Sequence, residues 1–166
     1  KSPNDNYTYR LLTLDNALEV LLISDPDAPK AAAALDILVG SGDNPPSRAG
    51  LAHFLEHMLF LGTEKYPDAA EYGRFISEHG GSRNAYTSFE NTNYFFDVNS
   101  ADLPAALDRF AQFFIAPRFD AQYVEREKNA VEAEYQMGLK SDSRRELDVL
   151  QEVFNQDHPY SQLDGT

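Results

Sequence analysis

His53-Phe54-Leu55-Glu56-His57 places two imidazoles four residues apart, with a carboxylate between them. On a helix, positions i and i+4 project from the same face, so these two rings can chelate one ion. Glu56, three residues after His53, shares that face and points toward the ion without having to bind it. The rest of the segment is strongly apolar: Phe54, Leu55, Met58, Leu59, Phe60 and Leu61. Two histidines and a glutamate on so apolar a helix are costly if buried without partners, which favours a metal over an accident of composition. An ion that activates water needs at least one more protein ligand and an open position. The chain has no cysteine, so that ligand must be His, Asp or Glu.

The other two histidines are poor candidates. His79 precedes a Gly80-Gly81 helix stop, and His158 sits beside Pro159 in a polar tail. A long helix expected from Asp120 to about Met137 offers Glu125, Glu127, Glu132 and Glu134. Glu127 and Glu134 lie two helical turns apart on one face, with Ala130 and Val131 between them. That partly apolar stripe turns both carboxylates inward, and Glu125 and Glu132 fall on the solvated side.

The elements that must position these groups follow from pattern. Tyr7–Thr13 and Ala17–Ile23 read as a hairpin around Asp15-Asn16, and Ala33–Gly40 as a well-buried third strand. The motif helix begins after Ser47 as N-cap and closes at Gly62. A second helix starts near Asp68 with Glu71 completing a capping box, presents Tyr72, Phe75 and Ile76, and ends at Gly80-Gly81. Arg83–Phe89 and Asn93–Val98 are strands around a Glu90-Asn91 turn. Ser100 caps a helix through Leu107, Phe110 and Phe114 that Pro117 stops. The long helix follows, and then Arg144–Asn155, with Leu147, Leu150, Val153 and Phe154 inward. Asp157–Thr166 reads as a polar loop. Strands in adjacent pairs and helices in runs give an α+β fold, a mostly antiparallel sheet of about five strands with helices packed on it.

The chain has 166 residues, enough for one domain with a sizeable core. Its formal net charge of −13 argues against a nucleic-acid partner. No apolar run is long enough to span a bilayer. The absence of cysteine fits cytosol and periplasm equally.

The motif H-x-x-E-H is the inverted counterpart of the H-E-x-x-H zinc peptidases. Around it, Asp5–Leu22, Gly50–Pro67, Ser77–Val98 and Glu125–Tyr135 together resemble the N-terminal part of the pitrilysin/insulinase family of zinc peptidases. The resemblance covers nearly the whole chain. It implies Zn²⁺, one per chain, held by His53, His57 and Glu134, with Glu56 as general base and Glu127 as the carboxylate supporting a histidine ligand. It further implies peptide binding by strand addition along Asn84-Ala85-Tyr86-Thr87; by pattern alone, Arg83–Phe89 is a polar strand after a Gly-Gly break, as an exposed edge would be. The implied activity is endopeptidase cleavage of peptides or small unfolded proteins by metal-activated water. The alternatives are a non-catalytic family subunit or a fragment that binds zinc and peptide without efficient turnover. Residues 1–166 are then expected to be the zinc-binding catalytic domain, truncated, of a much larger chain whose remaining domains are its partners. By the same resemblance the compartment is periplasmic or secreted, with cytoplasmic as the alternative. Family members often carry Gly where this chain has Ala17, a departure expected to cost little.

Overall fold

The structure, a computed structural model, describes residues 1–162. Five strands and five α-helices follow in the order β1 (Thr8–Thr13), β2 (Glu19–Ser24), β3 (Lys30–Ile37), α1 (Leu51–Leu59), α2 (Glu71–Glu78), β4 (Ser82–Thr87), β5 (Thr92–Asn99), α3 (Leu103–Ile115), α4 (Ala121–Gly138) and α5 (Asp142–Val153). All strand pairs are antiparallel, as expected, but the strands form two sheets rather than one. β1 and β2 make a hairpin of their own, and the second sheet runs β3-β5-β4.

β5 is the centre of the fold. Its alternation sends Thr92, Tyr94, Phe96 and Val98 to one buried face. Against that face pack Leu59 of α1, Tyr72 and Ile76 of α2, and Ala106, Phe110 and Phe113 of α3. The contacts are aromatic and edge-on: Tyr72 meets Phe113 with ring centres 4.7 Å apart, and Phe96 meets Phe110 at 5.2 Å. β3 pairs with the other side of β5, from Lys30 opposite Asn99 to Ile37 opposite Thr92. It is half-buried at alternate positions and exposed at the others, not well buried as expected of Ala33–Gly40.

Several local expectations are corrected. The residue before α1 is Gly50 in the left-handed region (φ 71°), not Ser47, and Asn44 Oδ1 accepts the Ala52 N–H at 2.9 Å in the role a cap would have. Asp68 precedes α2 by a turn, accepting the Ala70 N–H at 2.9 Å. Glu71 makes an ion pair with Arg109 at 2.8 Å instead of completing a capping box. On α5, Leu147 is half-buried, but Leu150, Val153 and Phe154 are exposed and Gln151 is the buried residue. The tail expected to be a loop carries a 3-10 turn at Pro159–Gln162, and its last four residues lie outside those described. No helix among the described residues is long and apolar enough to cross a membrane.

The hairpin turn departs from expectation in its energetics. Ala17 stands at φ 66°, where the Leu14 N–H and Leu18 carbonyl close the turn at 2.9 Å. A Cβ in that region costs roughly 1–2 kcal/mol, so Ala17 is a strained site rather than a neutral one. Glycine loses somewhat more unfolded freedom, about 0.4–1 kcal/mol, which offsets part of the relief. Ala17→Gly should therefore stabilise the fold by about 1 kcal/mol and raise Tm by roughly 2–4 °C in thermal unfolding. An unchanged or lower Tm would show that the turn bears no strain.

Candidate metal centre and its cleft

Helix α1 packs between α4 on one side and β4 on the other. Its buried residues Met58 and Leu59 fix its rotation, and that rotation turns His53, Glu56 and His57 into an open cleft. From α4 the half-buried residues along the facing stripe are Glu127, Ala130, Val131 and Glu134, as the spacing predicted. Glu125 and Glu132 are exposed and occupied elsewhere, with Lys128 and Gln136 respectively.

The four side chains from α1 and α4 form a connected cluster. His57 Nε2 lies 3.3 Å from His53 Nε2 and 3.7 Å from Glu134 Oε1. His53 Nε2 lies 3.4 Å from Glu134 Oε2. On its other side, His57 Nδ1 is 3.2 Å from Glu127 Oε2. An ionised carboxylate can only accept, so Nδ1 carries the proton and the Nε2 lone pair of His57 faces His53 and Glu134. Glu127 is itself held by Arg126, whose Nε donates to its other oxygen at 2.8 Å. His53 Nδ1 is buried with no hydrogen bond among the described residues.

This geometry fits a divalent metal. His53, His57 and Glu134 each offer an atom, and these lie within 4.8 Å of one another. Metal–nitrogen bonds of about 2.0–2.1 Å at tetrahedral angles require ligand atoms about 3.3–3.4 Å apart, close to the separations found. Three donor atoms gathered this closely can share one cation. Two imidazoles and one carboxylate suit zinc.

Around the cluster, the cleft is closed by β4. Ala85 and Thr87 are half-buried, while Asn84 and Tyr86 are exposed. β4 pairs with β5 on one side, Ser82 opposite Asp97 through Thr87 opposite Thr92, and has no strand on its other side among the described residues. It is the edge strand the sequence suggested. His79 and His158 lie elsewhere: His79 Nδ1 donates to the Phe75 carbonyl at 2.7 Å, and His158 Nδ1 accepts the Tyr160 N–H at 3.1 Å. Two features of the cleft were not anticipated. Thr87 Oγ1 donates to Glu56 Oε2 at 2.6 Å. Arg144 of α5 lines the cleft and adds positive charge near His53. The alternation of β4 puts Thr87 on the same side as Ala85, which could have flagged the first; no spacing rule reaches the second.

The description "Insulinase (Peptidase family M16)" matches residues 19–163. The chain belongs to the insulinase family, peptidase family M16. It is 52% identical to human insulin-degrading enzyme over 98% of its own length and 16% of that enzyme's. The same identity holds to a peroxisomal insulin-degrading enzyme-like protein of Arabidopsis thaliana, over 96% of this chain and 16% of that one. The crystal structure of pitrilysin superposes with a TM-score of 0.93 at 43% identity, covering 99% of this chain and 18% of pitrilysin. The chain thus spans about a sixth of the length of the curated relatives it matches. The α+β fold is that of the corresponding part of pitrilysin, and the family is one of peptidases.

Burial bears on the protonation of His53. Desolvation holds the His53 pKa below its ordinary 6.5 and the neighbouring His57 adds to this, while Glu56 and Glu134 pull the other way and lose. The neutral ring is the form that binds metal. The folded state therefore binds fewer protons at His53 than the unfolded chain does. Its contribution is present above pH about 6.5 and is lost as pH falls through the depressed folded value. In metal-free protein, the His53 ring signals in NMR should titrate below 6.5. A midpoint at or above 6.5 would show that the carboxylates outweigh burial.

Proposed function

We propose that the chain is the zinc-binding catalytic portion of an endopeptidase that cleaves peptides or small unfolded proteins. The observation that carries this reading is the convergence of His53, His57 and Glu134 beside a buried carboxylate, Glu56, and a strand edge with no partner strand among the described residues. His53 Nε2, His57 Nε2 and the Glu134 carboxylate would hold Zn²⁺. When bound, the ion supplies a Lewis acid for the scissile carbonyl and brings the pKa of water toward neutrality.

The chain's own groups account for the remainder. Glu127 fixes the tautomer of His57 and, by accepting from Nδ1, strengthens the Nε2 lone pair as a metal ligand. A peptide pairs its main chain with the free N–H and C=O groups of Asn84-Ala85-Tyr86-Thr87, which lays it across the cleft. Glu56 takes a proton from the attacking water on its carboxylate and delivers it to the nitrogen of the leaving amine. No nucleophilic side chain is needed, in keeping with a chain that lacks cysteine.

The length of the relatives supports placing residues 1–166 within a longer chain. On this reading the exposed Leu21, Ile23, Val149 and Val153 are surfaces that its further domains cover. Those domains would enclose the substrate, and positioning of this kind can contribute about 7–11 kcal/mol to catalysis. The fragment alone would then bind zinc and peptide but turn over slowly. Compartment does not follow from family membership, because one relative is peroxisomal by name.

Two substitutions test the assignment. Glu134→Gln should weaken zinc binding, read by metal analysis after dialysis; retention of a full equivalent of zinc would remove Glu134 from the ligand set. Glu56→Gln in the full-length protein should keep zinc yet lose peptidase activity by about 10²–10⁴-fold, the usual range for a general base. Undiminished turnover would place the base elsewhere.

A further inference from the structure

Glu56 is only 8% exposed, and its carboxylate makes no ion pair among the described residues. A buried carboxylate without a donor is costly, and here the donor is Thr87. The 2.6 Å bond from Thr87 Oγ1 to Glu56 Oε2 is short and charge-assisted. The hydroxyl is delivered by a strand, not a loop. Thr87 is the last residue of β4, opposite Thr92 of β5. Thr92 is itself buried, and its Oγ1 donates to the Val39 carbonyl at 2.9 Å. Groups mounted on regular elements hold position more closely than groups on loops.

The neighbourhood makes such a restraint necessary. Glu56 sits between His53 and His57 on α1 and is chemically as good a metal ligand as Glu134. It is nevertheless absent from the group of donor atoms lying within 4.8 Å of one another. A carboxylate that joined the ligands would no longer be free to act as a base. We propose that Thr87 is the positioning residue of Glu56: its hydroxyl keeps the carboxylate off the His53–His57–Glu134 triad and ties the base to the strand edge on which a peptide docks. This rests on the reading of Glu56 as the base. It gives the Thr87 side chain a task separate from main-chain pairing with substrate. Since Ala85 and Thr87 share the half-buried side of β4, the hydroxyl points into the protein while the strand's backbone edge stays available.

The test compares the full-length, zinc-loaded protein with its Thr87→Val, Thr87→Ser and Glu56→Gln variants and the Val/Gln double variant. Valine keeps the shape and strand preference of threonine and removes only the hydroxyl. Thr87→Val should lower kcat by about 10–100-fold, with KM changed by no more than about threefold. Thr87→Ser should recover activity to within about threefold of the parent. Zinc affinity of Thr87→Val, measured by equilibrium dialysis, should equal or exceed that of the parent, since a released Glu56 can only add a ligand. In the Glu56→Gln background the valine should cost nothing further. If valine disturbs folding, Thr87→Ala must show the same split between kcat and KM. A raised KM with unchanged kcat would overturn the proposal and leave Thr87 a peptide-pairing residue. Zinc affinity lost in step with activity, or an equal loss in the Glu56→Gln background, would overturn it as well. Full activity in Glu56→Gln alone would instead overturn the assignment of the base, a failure distinguishable from that of Thr87.

Discussion

Imidazoles and carboxylates gather in a half-buried cleft only where packing holds them there, because each loses water in the process. In this chain the packing is that of α1, wedged between the long helix α4 and the edge strand β4. Met58 and Leu59 are buried and set the rotation of α1. Everything polar in the cleft follows from that rotation: His53 and His57 face Glu134 and Glu127 across one groove, and Glu56 faces Thr87 across the other. A turn of α1 by a single residue, about 100°, would separate all of these pairs at once.

The histidine pair and the inward stripe of α4 were legible in the sequence because each is local to its helix, whereas the choice of Glu134 over Glu127 came from the family resemblance. Spacings of four along α1 and seven along α4 are properties of a helix, and the apolar Ala130 and Val131 marked which side of α4 turns inward. The turn and edge character of β4 was legible for a similar reason, from the Gly80-Gly81 break and the polar strand after it. What escaped was decided by long-range contact. Asn44 rather than Ser47 serves the start of α1 because the 40–50 loop folds back on the helix. Glu71 serves Arg109 on α3, a partner no local rule names. The apolar face of α5 is helical as its period implies, but beyond half-buried Leu147 it is exposed, since periodicity reports amphipathicity and not what lies opposite.

The division of the strands into two sheets has the same origin. The Asp15-Asn16 turn between two strand-like runs announced a hairpin, and the register from Thr8 opposite Ser24 to Thr13 opposite Glu19 is regular. Which sheet a hairpin joins is not written in its own pattern. Among the described residues it joins none, and Leu11, Leu21 and Ile23 remain exposed.

The core of the fold runs from Leu59 to Phe113 and contains no residue of α4, whose only fully buried residue is Gly138. The cleft therefore has one wall embedded in the aromatic core and one wall laid against it from outside. Local opening draws on the least buried elements first, so α4 can detach while β5 and its helices stay folded. Hydrogen exchange would see two cooperative units here, and the boundary between them passes through the middle of the site. An ion held by His53, His57 and Glu134 would act as a tertiary cross-link between those units, coupling the persistence of the outer helix to occupancy rather than to the stability of the core.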